Sequence, residues 1–540
     1  MSAFPDAARA LTEAAKRHDK LAAWQATGQL LPWLGDLRHP VEPKAAFGLV
    51  RSGAANNRWF DIAELLAGAV SGRADATAGL RRLHAQMLME RGFQDEALAR
   101  LELLRADRSL TDFDRGELFG HLGRIHKDRF IMAATAEDTT ATRQHLARAL
   151  EAYQTGYREQ PTRVWLGINA VALLAREEAR AGNRGALSEA QALARAVLAE
   201  IPRQDPQSAD AYSHATAAEA YLALGDTATT LQQLRQYVNH PRVNSFALGA
   251  TLRQLLQVWQ IDRRPPPGPA MVELLRAALM DKQDGVLDMS GHEILQARAV
   301  ASVRSLEAVF GTDRFDSIEN YRKGLERSAC VARIGRSAET GVGTGFVMPG
   351  NLLSDKLGER CLLVTNAHVI SAREEDRQAN AVHPSEAVVT FAALDDVAPT
   401  KEFGVSRVVF FRPPDDLDVT VAELTEPVSP RVTLPTSAVL PTPGSEVQVR
   451  VIGHPSGRGL SFSSGRFLDH QAPRMHYRAA TEGGSSGGPV FSHEWRLIGV
   501  HHAGGEAMPK LNGQTGTYEA NEGIWVQAIR DALERELKRG

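Results

Sequence analysis

The hydrophobic period of this chain changes once, near residue 328, and two such halves cannot share one kind of secondary structure. Up to about Trp259 the sequence is rich in Ala, Leu and Arg, with apolar residues three and four positions apart, as in QMLMERGFQDEALARLELL. That spacing puts one apolar stripe along a helix and predicts amphipathic helices. After residue 328 the period becomes two. CVARI, GTGFVM, CLLVTNAHVI, EAVVTFAAL, VSRVVFF, DVTVAEL, EVQVRVIG, MHYRAAT and RLIGVHHA are short runs rich in Val, Ile, Phe and Thr, separated by Gly, Pro or Asp clusters. Short strands in close succession with no helices between them predict an antiparallel sandwich or barrels. A closing amphipathic stretch, VQAIRDALEREL, predicts a final helix.

In the helical half, MERGFQDEALARL (89–101) and LALGDTATTLQQL (222–234) share one layout: a helix, a glycine at the turn, and a second helix a few residues on. This is the helix–turn–helix pattern of tetratricopeptide-like repeats, in which a small residue is expected to let the paired helices approach closely. It predicts an all-α solenoid over residues 1–262. RRPPPGPA (263–270) interrupts the pattern, because consecutive prolines cannot continue a helix and favour a stiff, extended link. GHEILQARAVASVRSLEAVFG and FDSIENYRKGLERSA then read as two amphipathic helices. Residues 263–324 are therefore a Pro-rich linker and helical connector, and residues 325–540 an all-β domain.

Composition excludes several classes. At 540 residues the chain is too long for one core. It is 43% apolar and 24% charged with a formal net charge of −3, which offers no electrostatic reason for nucleic acid or an anionic membrane as a partner. The first residues carry acids and no apolar h-region, and no run is long enough to span a bilayer. The two cysteines, Cys330 and Cys361, cannot staple a protein of this size; they read as buried free thiols, and a reducing cytoplasm is the expected location.

Three signals in the β half fit one chemistry. LLVTNAHVI delivers His368 at the end of an apolar strand, and PDDLDVTVAEL places Asp418 at the mouth of another. TEGGSSGGPVF (481–491) surrounds two serines with glycine. A serine hydroxyl is a weak nucleophile until an imidazole takes its proton and a carboxylate fixes that imidazole's tautomer. It also needs backbone N–H groups aimed at the developing oxyanion, which glycines can bring to one point. Asp416 competes with Asp418 for the carboxylate role, and the Asp-apolar-small-apolar pattern entering the strand favours Asp418.

In the order His368, Asp418, Ser486, these elements resemble the chymotrypsin-like (trypsin-like) serine peptidases, over residues 325 to about 540. GSSGGP (484–489) is similar to that family's Gly-x-Ser-Gly-Gly-Pro, which implies Ser486 as nucleophile and the N–H groups of Gly484 and Ser486 as the oxyanion hole. GTGFVM (343–348), VIGHPSG (451–457) and NEGI (521–524) resemble the bacterial glutamyl-endopeptidase and HtrA-like branches. The implied fold is a double β-barrel, with no cofactor and no metal. His454, His470, His476, His493, His501 and His502 fall in no ligand spacing with acids or cysteines. Ser485 stands where the digestive branch has an aspartate that captures a new N-terminus, so activation by that route is not expected. GVHHAGG resembles a stretch of the glutamyl endopeptidases; the resemblance puts Thr481 and His501 in the specificity pocket and implies Glu or Gln before the scissile bond. The competing reading packs His501 in the strand and leaves His502 exposed.

HLGRIHKDRF (121–130) and YQTGYREQPTRVWLGINAVALL (153–174) resemble the repeat-like region at the centre of apoptosis-signal-regulating kinases, which implies a regulatory or scaffolding surface. The simpler reading assigns Trp165, Gly167 and Asn169 to tight helix packing. Together these features predict a cytoplasmic serine endopeptidase acting on a protein or peptide, with a regulatory partner on the repeats and no nucleic acid or membrane partner. Such fusions resemble bacterial signalling or antiphage effectors. The alternatives are an inactive scaffold whose solenoid does the binding, and an esterase with the same triad.

Overall fold

The structure, a computed structural model, describes residues 3–17, 19–36, 41–203, 211–282, 284–289, 315–378, 380–391, 401–428, 434–444 and 447–538. The helix expected over GHEILQARAVASVRSLEAVFG lies outside these residues. The chain divides into two compact units: Met1–Val243 with Ala250–Val272, and Asn244–Gly249 with Glu273–Gly540.

The first unit is helical. Successive helices pack as neighbours, among them Phe60–Ser71, Ala78–Glu90, Gln94–Leu104, Asp112–Thr135, Thr139–Glu159 and Val164–Leu174. Their apolar stripes close continuous cores, one around Leu11, Leu30, Val50, Leu66 and Leu83 and the next around Leu101, Phe119, Ile125 and Ala152. The repeat turns have a different cause from the expected one. Gly92 and Gly225 have φ of +87° and +82°, and a Cβ on either would meet nothing within 4 Å. Each ends its helix with the same pair of bonds: Phe93 N–H to Leu88 O with Gly92 N–H to Met89 O, and Asp226 N–H to Tyr221 O with Gly225 N–H to Leu222 O. This is a left-handed C-terminal cap, so glycine is needed there for φ and not for close approach.

Close approach occurs inside the helices instead, where a Cβ on Gly120 would lie 2.0 Å from the Trp165 ring. The same region holds a polar network. Lys127 Nζ donates to Asn169 Oδ1 (2.8 Å) and Gln254 Oε1 (2.9 Å); Gln254 Nε2 (3.2 Å) and Trp259 Nε1 (2.7 Å) both donate to Glu219 Oε2. Burial lowers Lys127 to about 8 and raises Glu219, so both are pushed toward their neutral forms.

The proline triplet at 265–267 is not an extended spacer. It lies between a 3-10 turn, Ile261–Arg263, and the helix Gly268–Met280, in a turn closed by the Gly268 N–H to Pro265 O bond (3.1 Å). The connector also supplies a strand, β1 (Val286–Met289), that the period-two pattern does not flag.

Among the described residues of the second unit, the named strands pair antiparallel throughout, in two seven-stranded sheets. The first sheet holds β2 (Val331–Gly335), β3 (Gly341–Pro349), β4 (Cys361–Thr365), β5 (Val388–Thr390), β6 (Glu402–Phe403), β7 (Val405–Arg412) and β8 (Val419–Leu424), ordered β6-β5-β2-β3-β4-β8-β7. The other holds β9 (Gln448–Gly453), β10 (Leu460–Gln471), β11 (Arg474–Arg478), β12 (Pro489–Ser492), β13 (Leu497–Pro509) and β14 (Thr517–Trp525), with β1 added at its edge. Because β9 pairs with β10 as well as with β12, these six strands close into a barrel. Its interior is filled by Val449, Val451, Phe467, Met475, Tyr477, Val490 and Ile498. Among the described residues, the helix Phe315–Ser328 lies between β1 and β2, the short helix Glu374–Gln378 lies between β4 and β5, and Val526–Leu537 is the expected terminal helix. The fold is that of a chymotrypsin-like double barrel behind a tetratricopeptide-like region. Cys330 is buried as expected. Cys361 is only half-buried, because it opens β4 at the strand's exposed end, and burial still raises its thiol pKa.

Candidate active site

His368 follows the end of β4, and Asp418 directly precedes β8, the neighbour of β4. The pairing of these strands brings the two residues together. His368 Nδ1 lies 2.7 Å from Asp418 Oδ2, and the His368 amide donates to Oδ1 at 3.0 Å. Asn366, in the same turn, donates to the Asp418 carbonyl at 2.8 Å. Asp418 is 1% exposed and has φ of +46°, a left-handed conformation costing a non-glycine residue about 1 kcal/mol. The bonds from Asn366 and His368, with that of its own amide to Pro413 O (2.9 Å), hold it there. Burial alone would raise its pKa; hydrogen bonds from His368 and His502 outweigh that and hold the carboxyl far below the usual range. Asp416 is instead half-exposed, beside Arg412 at 3.5 Å.

Ser486 sits in the tight turn before β12. Gly484 and Gly487 have φ of +92° and +88°, and a Cβ on Gly487 would fall 1.9 Å from Thr344 O and 2.3 Å from Thr365 Oγ1. That approach sets the serine loop of one barrel against β3 and β4 of the other. Thr344 grips the loop: its N–H donates to Ser486 O (2.8 Å) and its Oγ1 to Gly484 O (2.7 Å), while its own hydroxyl accepts from His454 N (2.9 Å). The carbonyls flanking two amides are also pinned, Gly483 O by Ser456 N (2.5 Å) and Ser485 O by Gly488 N (3.0 Å). A trans peptide points its N–H opposite its C=O, so the Gly484 and Ser486 amides face away from these anchors. Among the described residues neither amide has a protein acceptor, and the Ser486 hydroxyl has no hydrogen-bond partner. Ser485 is buried, with its hydroxyl 3.4 Å from the Glu482 amide.

Of the two residues expected in the specificity pocket, Thr481 bonds Asn521 Oδ1 at 2.9 Å, and Asn521 Nδ2 donates to Ala479 O. Asn521 opens the NEGI motif, yet nothing in its spacing ties it to Thr481. His501 is 4% exposed, and its Nδ1 lies 2.8 Å from the Tyr477 hydroxyl. Burial, with His502 and His368 nearby, lowers it to about 3, so it is neutral; burial keeps Tyr477 protonated.

His502 is not exposed. The β13–β14 register shifts between His501 and Ala503, opposing two residues to one, so the strict alternation that would turn His502 outward fails. Its Nδ1 lies 2.9 Å from Asp418 Oδ2, the oxygen that His368 also uses, and its Nε2 lies 2.7 Å from Glu522 Oε1. Glu522 Oε2 meets His476 Nε2 at 2.7 Å, and His476 Nδ1 meets the Tyr518 hydroxyl at 2.8 Å. Sequence reasoning passed over this chain, because a bulge leaves no mark in hydrophobic periodicity.

Among the described residues, no cluster of three or more His, Cys, Asp or Glu side chains is arranged to hold a metal ion, and no helix is long and apolar enough to cross a membrane.

Comparison with known proteins agrees with this division. Residues 343–500 match the trypsin-like peptidase domain family, and residues 58–174 match a family described as tetratricopeptide repeats-sensor. The C-terminal half thus carries a trypsin-like serine peptidase domain, placed after a tetratricopeptide-like sensor region. A curated relative, the uncharacterized protein y4fB of Sinorhizobium fredii (strain NBRC 101917 / NGR234), is 29% identical over 233 residues. That alignment takes in 39% of this chain, and the chain spans only 33% of the relative's length. Solved structures of the Rv3671c protease from M. tuberculosis are also similar. The inactive form is 20% identical with a TM-score of 0.27, over 39% of this chain and 91% of that one. The active form is 19% identical with a TM-score of 0.28, over 39% and 82%.

Proposed function

We propose that the protein is a serine endopeptidase in which Ser486 is the nucleophile, His368 the base and then the acid, and Asp418 the orienting carboxylate. The observation that carries this is the buried Asp418 carboxylate gripping both the amide and Nδ1 of His368, which leaves Nε2 as the proton acceptor. Ser486 Oγ attacks the scissile carbonyl carbon as its proton passes to His368 Nε2, and the carbonyl electron pair moves onto oxygen. The amides of Gly484 and Ser486 receive that oxyanion. Collapse breaks the C–N bond as His368 returns the proton to the leaving amine. A water then repeats the sequence on the acyl-enzyme, releasing the acid and restoring Ser486. The nucleophile–base bond commonly closes only in the substrate complex.

For specificity, Thr481 and His501 frame the pocket. When Tyr477 donates to His501 Nδ1, the neutral ring keeps an Nε2–H donor, which suits the side-chain oxygen of Gln or Glu before the scissile bond. The helical region would dock a substrate, partner or regulator, and cytoplasmic limited proteolysis in bacterial signalling or antiphage defence is the role such a fusion suits. A fluorophosphonate probe tests the enzyme: labelling lost in Ser486→Ala supports it, whereas no labelling of the full chain, with candidate partners present, favours an inactive scaffold. Faster turnover of simple esters than of peptides would favour the esterase. A peptide library reads the pocket, and an Arg or Lys preference, or a profile unchanged in His501→Ala, would end the Glu/Gln assignment.

A further inference from the structure

His502 faces a carboxylate oxygen from each ring nitrogen, Asp418 Oδ2 at 2.9 Å and Glu522 Oε1 at 2.7 Å. An ionised carboxylate only accepts hydrogen bonds, so both contacts can be made only if both nitrogens carry protons. A neutral imidazole would leave a lone pair against an anionic oxygen in a site where Asp418 is fully buried and Glu522 nearly so.

Resting on the triad reading above, we propose that His502 is a positioning residue held as an imidazolium at neutral pH, which shares the Asp418 carboxylate with His368 and so sets the acid limb of the reaction's pH profile. His368 and His502 meet the same oxygen of Asp418. The usual effect of the triad carboxylate is to favour the charged form of its imidazole; a second cation on that oxygen cancels part of this field. The acid limb of reactivity therefore lies at a lower pH than it would without the second cation on Asp418.

The groups facing His502 come from several elements. Asp418 comes from the turn before β8 and His368 from the turn after β4. His501 is its neighbour on β13, and Glu522 comes from β14. Glu522 is itself steadied by His476 of β11 and lies 3.6 Å from Arg474. Tyr518 closes the chain beyond His476, and Tyr477 occupies His501. Burial alone would lower His502, but the two carboxylates outweigh it and raise it to about 9; hydrogen bonds with His476 and then His502 bring Glu522 down to about 2 against its own burial.

The test uses the full-length protein and the pH dependence of its inactivation by a fluorophosphonate, which requires no known substrate. His502→Asn keeps a neutral donor toward Asp418 and removes the charge. The acid limb of the inactivation profile is expected to move to higher pH, by on the order of one unit. A limb that stays in place, whether or not the rate falls at every pH, would overturn the proposal, since a purely structural role lowers the rate without moving the limb. Imidazole nitrogen NMR on Ser486→Ala protein decides the same point without catalysis, with His502→Asn assigning the signal. Both His502 nitrogens should be protonated at pH 7.5; a neutral tautomer at that pH sinks the idea even if the peptidase is active. Loss of labelling in Ser486→Ala checks the triad separately, so the two readings can fail independently.

Discussion

Each half of the molecule buries a chain of polar side chains, and burial has opposite results in the two. In the helical half, Lys127, Asn169, Gln254, Glu219 and Trp259 are linked mostly through amides, and no direct Lys127–Glu219 bond closes the chain. Burial is then the largest influence and pushes the lysine and the glutamate toward neutrality. In the barrel half, Asp418, His502, Glu522 and His476 alternate acid and imidazole at 2.7–2.9 Å, so each charge has an opposite charge in contact. The same burial is outweighed there, and Asp418, His502 and Glu522 stay ionised. What decides whether buried polar groups are driven toward neutrality or held charged is therefore the order of donors and acceptors along the chain, more than its depth.

The largest expected effect separates the chains by function. Asp418→Asn should slow fluorophosphonate labelling about 10⁴-fold, because the amide favours the wrong His368 tautomer. Lys127→Met should leave the rate of the isolated protein unchanged, and equal losses in both variants would erase the distinction. Next in size is a pair of isosteric changes read by urea unfolding. Glu522→Gln strips the counter-charge from His502 and should cost about 3–5 kcal/mol. Glu219→Gln replaces a group already driven toward neutrality and should cost about 1 kcal/mol or less. Similar costs for the two would mean that Glu219 is ionised after all.

The smallest effect is in alkaline pH and has opposite signs. His502 is raised from 6.5 to about 9 on folding, so its stabilisation is complete below 6.5 and is lost as pH rises through about 9. Lys127 is lowered from 10.5 to about 8, so its burial weakens the fold below 8, and that penalty is relieved as pH rises toward 10.5. Amide hydrogen exchange, corrected for its intrinsic pH dependence, should show β13 and β14 loosening between pH 7 and 9. Over pH 8 to 10 the helices around Lys127 should tighten. Flattening of the first trend in His502→Asn and of the second in Lys127→Met assigns each to its residue; trends of one sign in both halves would contradict the comparison.

The architecture was legible because it rests on period. Alternation predicted β4 and β8, helical spacing predicted Ala78–Glu90 and Gln94–Leu104, and the glycine-rich motif marked the turn at Ser486. The repeat glycines were visible, although their reason was not: Gly92 satisfies a backbone angle, while the glycine pressed on an aromatic ring is Gly120, inside a helix. His502 was hidden by a single extra residue in β13, which breaks the alternation on which any assignment of faces depends. Thr344 was quoted in a motif, but its grip on Gly484 and Ser486 crosses between barrels, 140 and 142 positions away in sequence, and follows only from tertiary packing. The short strand β1 was missed because VLDM is too brief to display a period.

That strand bears on where the peptidase can be cut free from the rest of the chain. Val286–Met289 pairs with Leu460–Ser463, continuing the edge of β10 beyond the segment that β11 occupies. Ser461 Oγ reaches Asp288, and Ser464 bonds Gly285 O and Lys282 O. A protein trimmed to begin at residue 325 would keep Ser486, His368 and Asp418 but bare those backbone groups as an open edge, the kind of surface that recruits strands from other molecules. A form of the peptidase that keeps this edge covered therefore begins upstream of the strand, before Lys282, inside what composition alone marks as a linker.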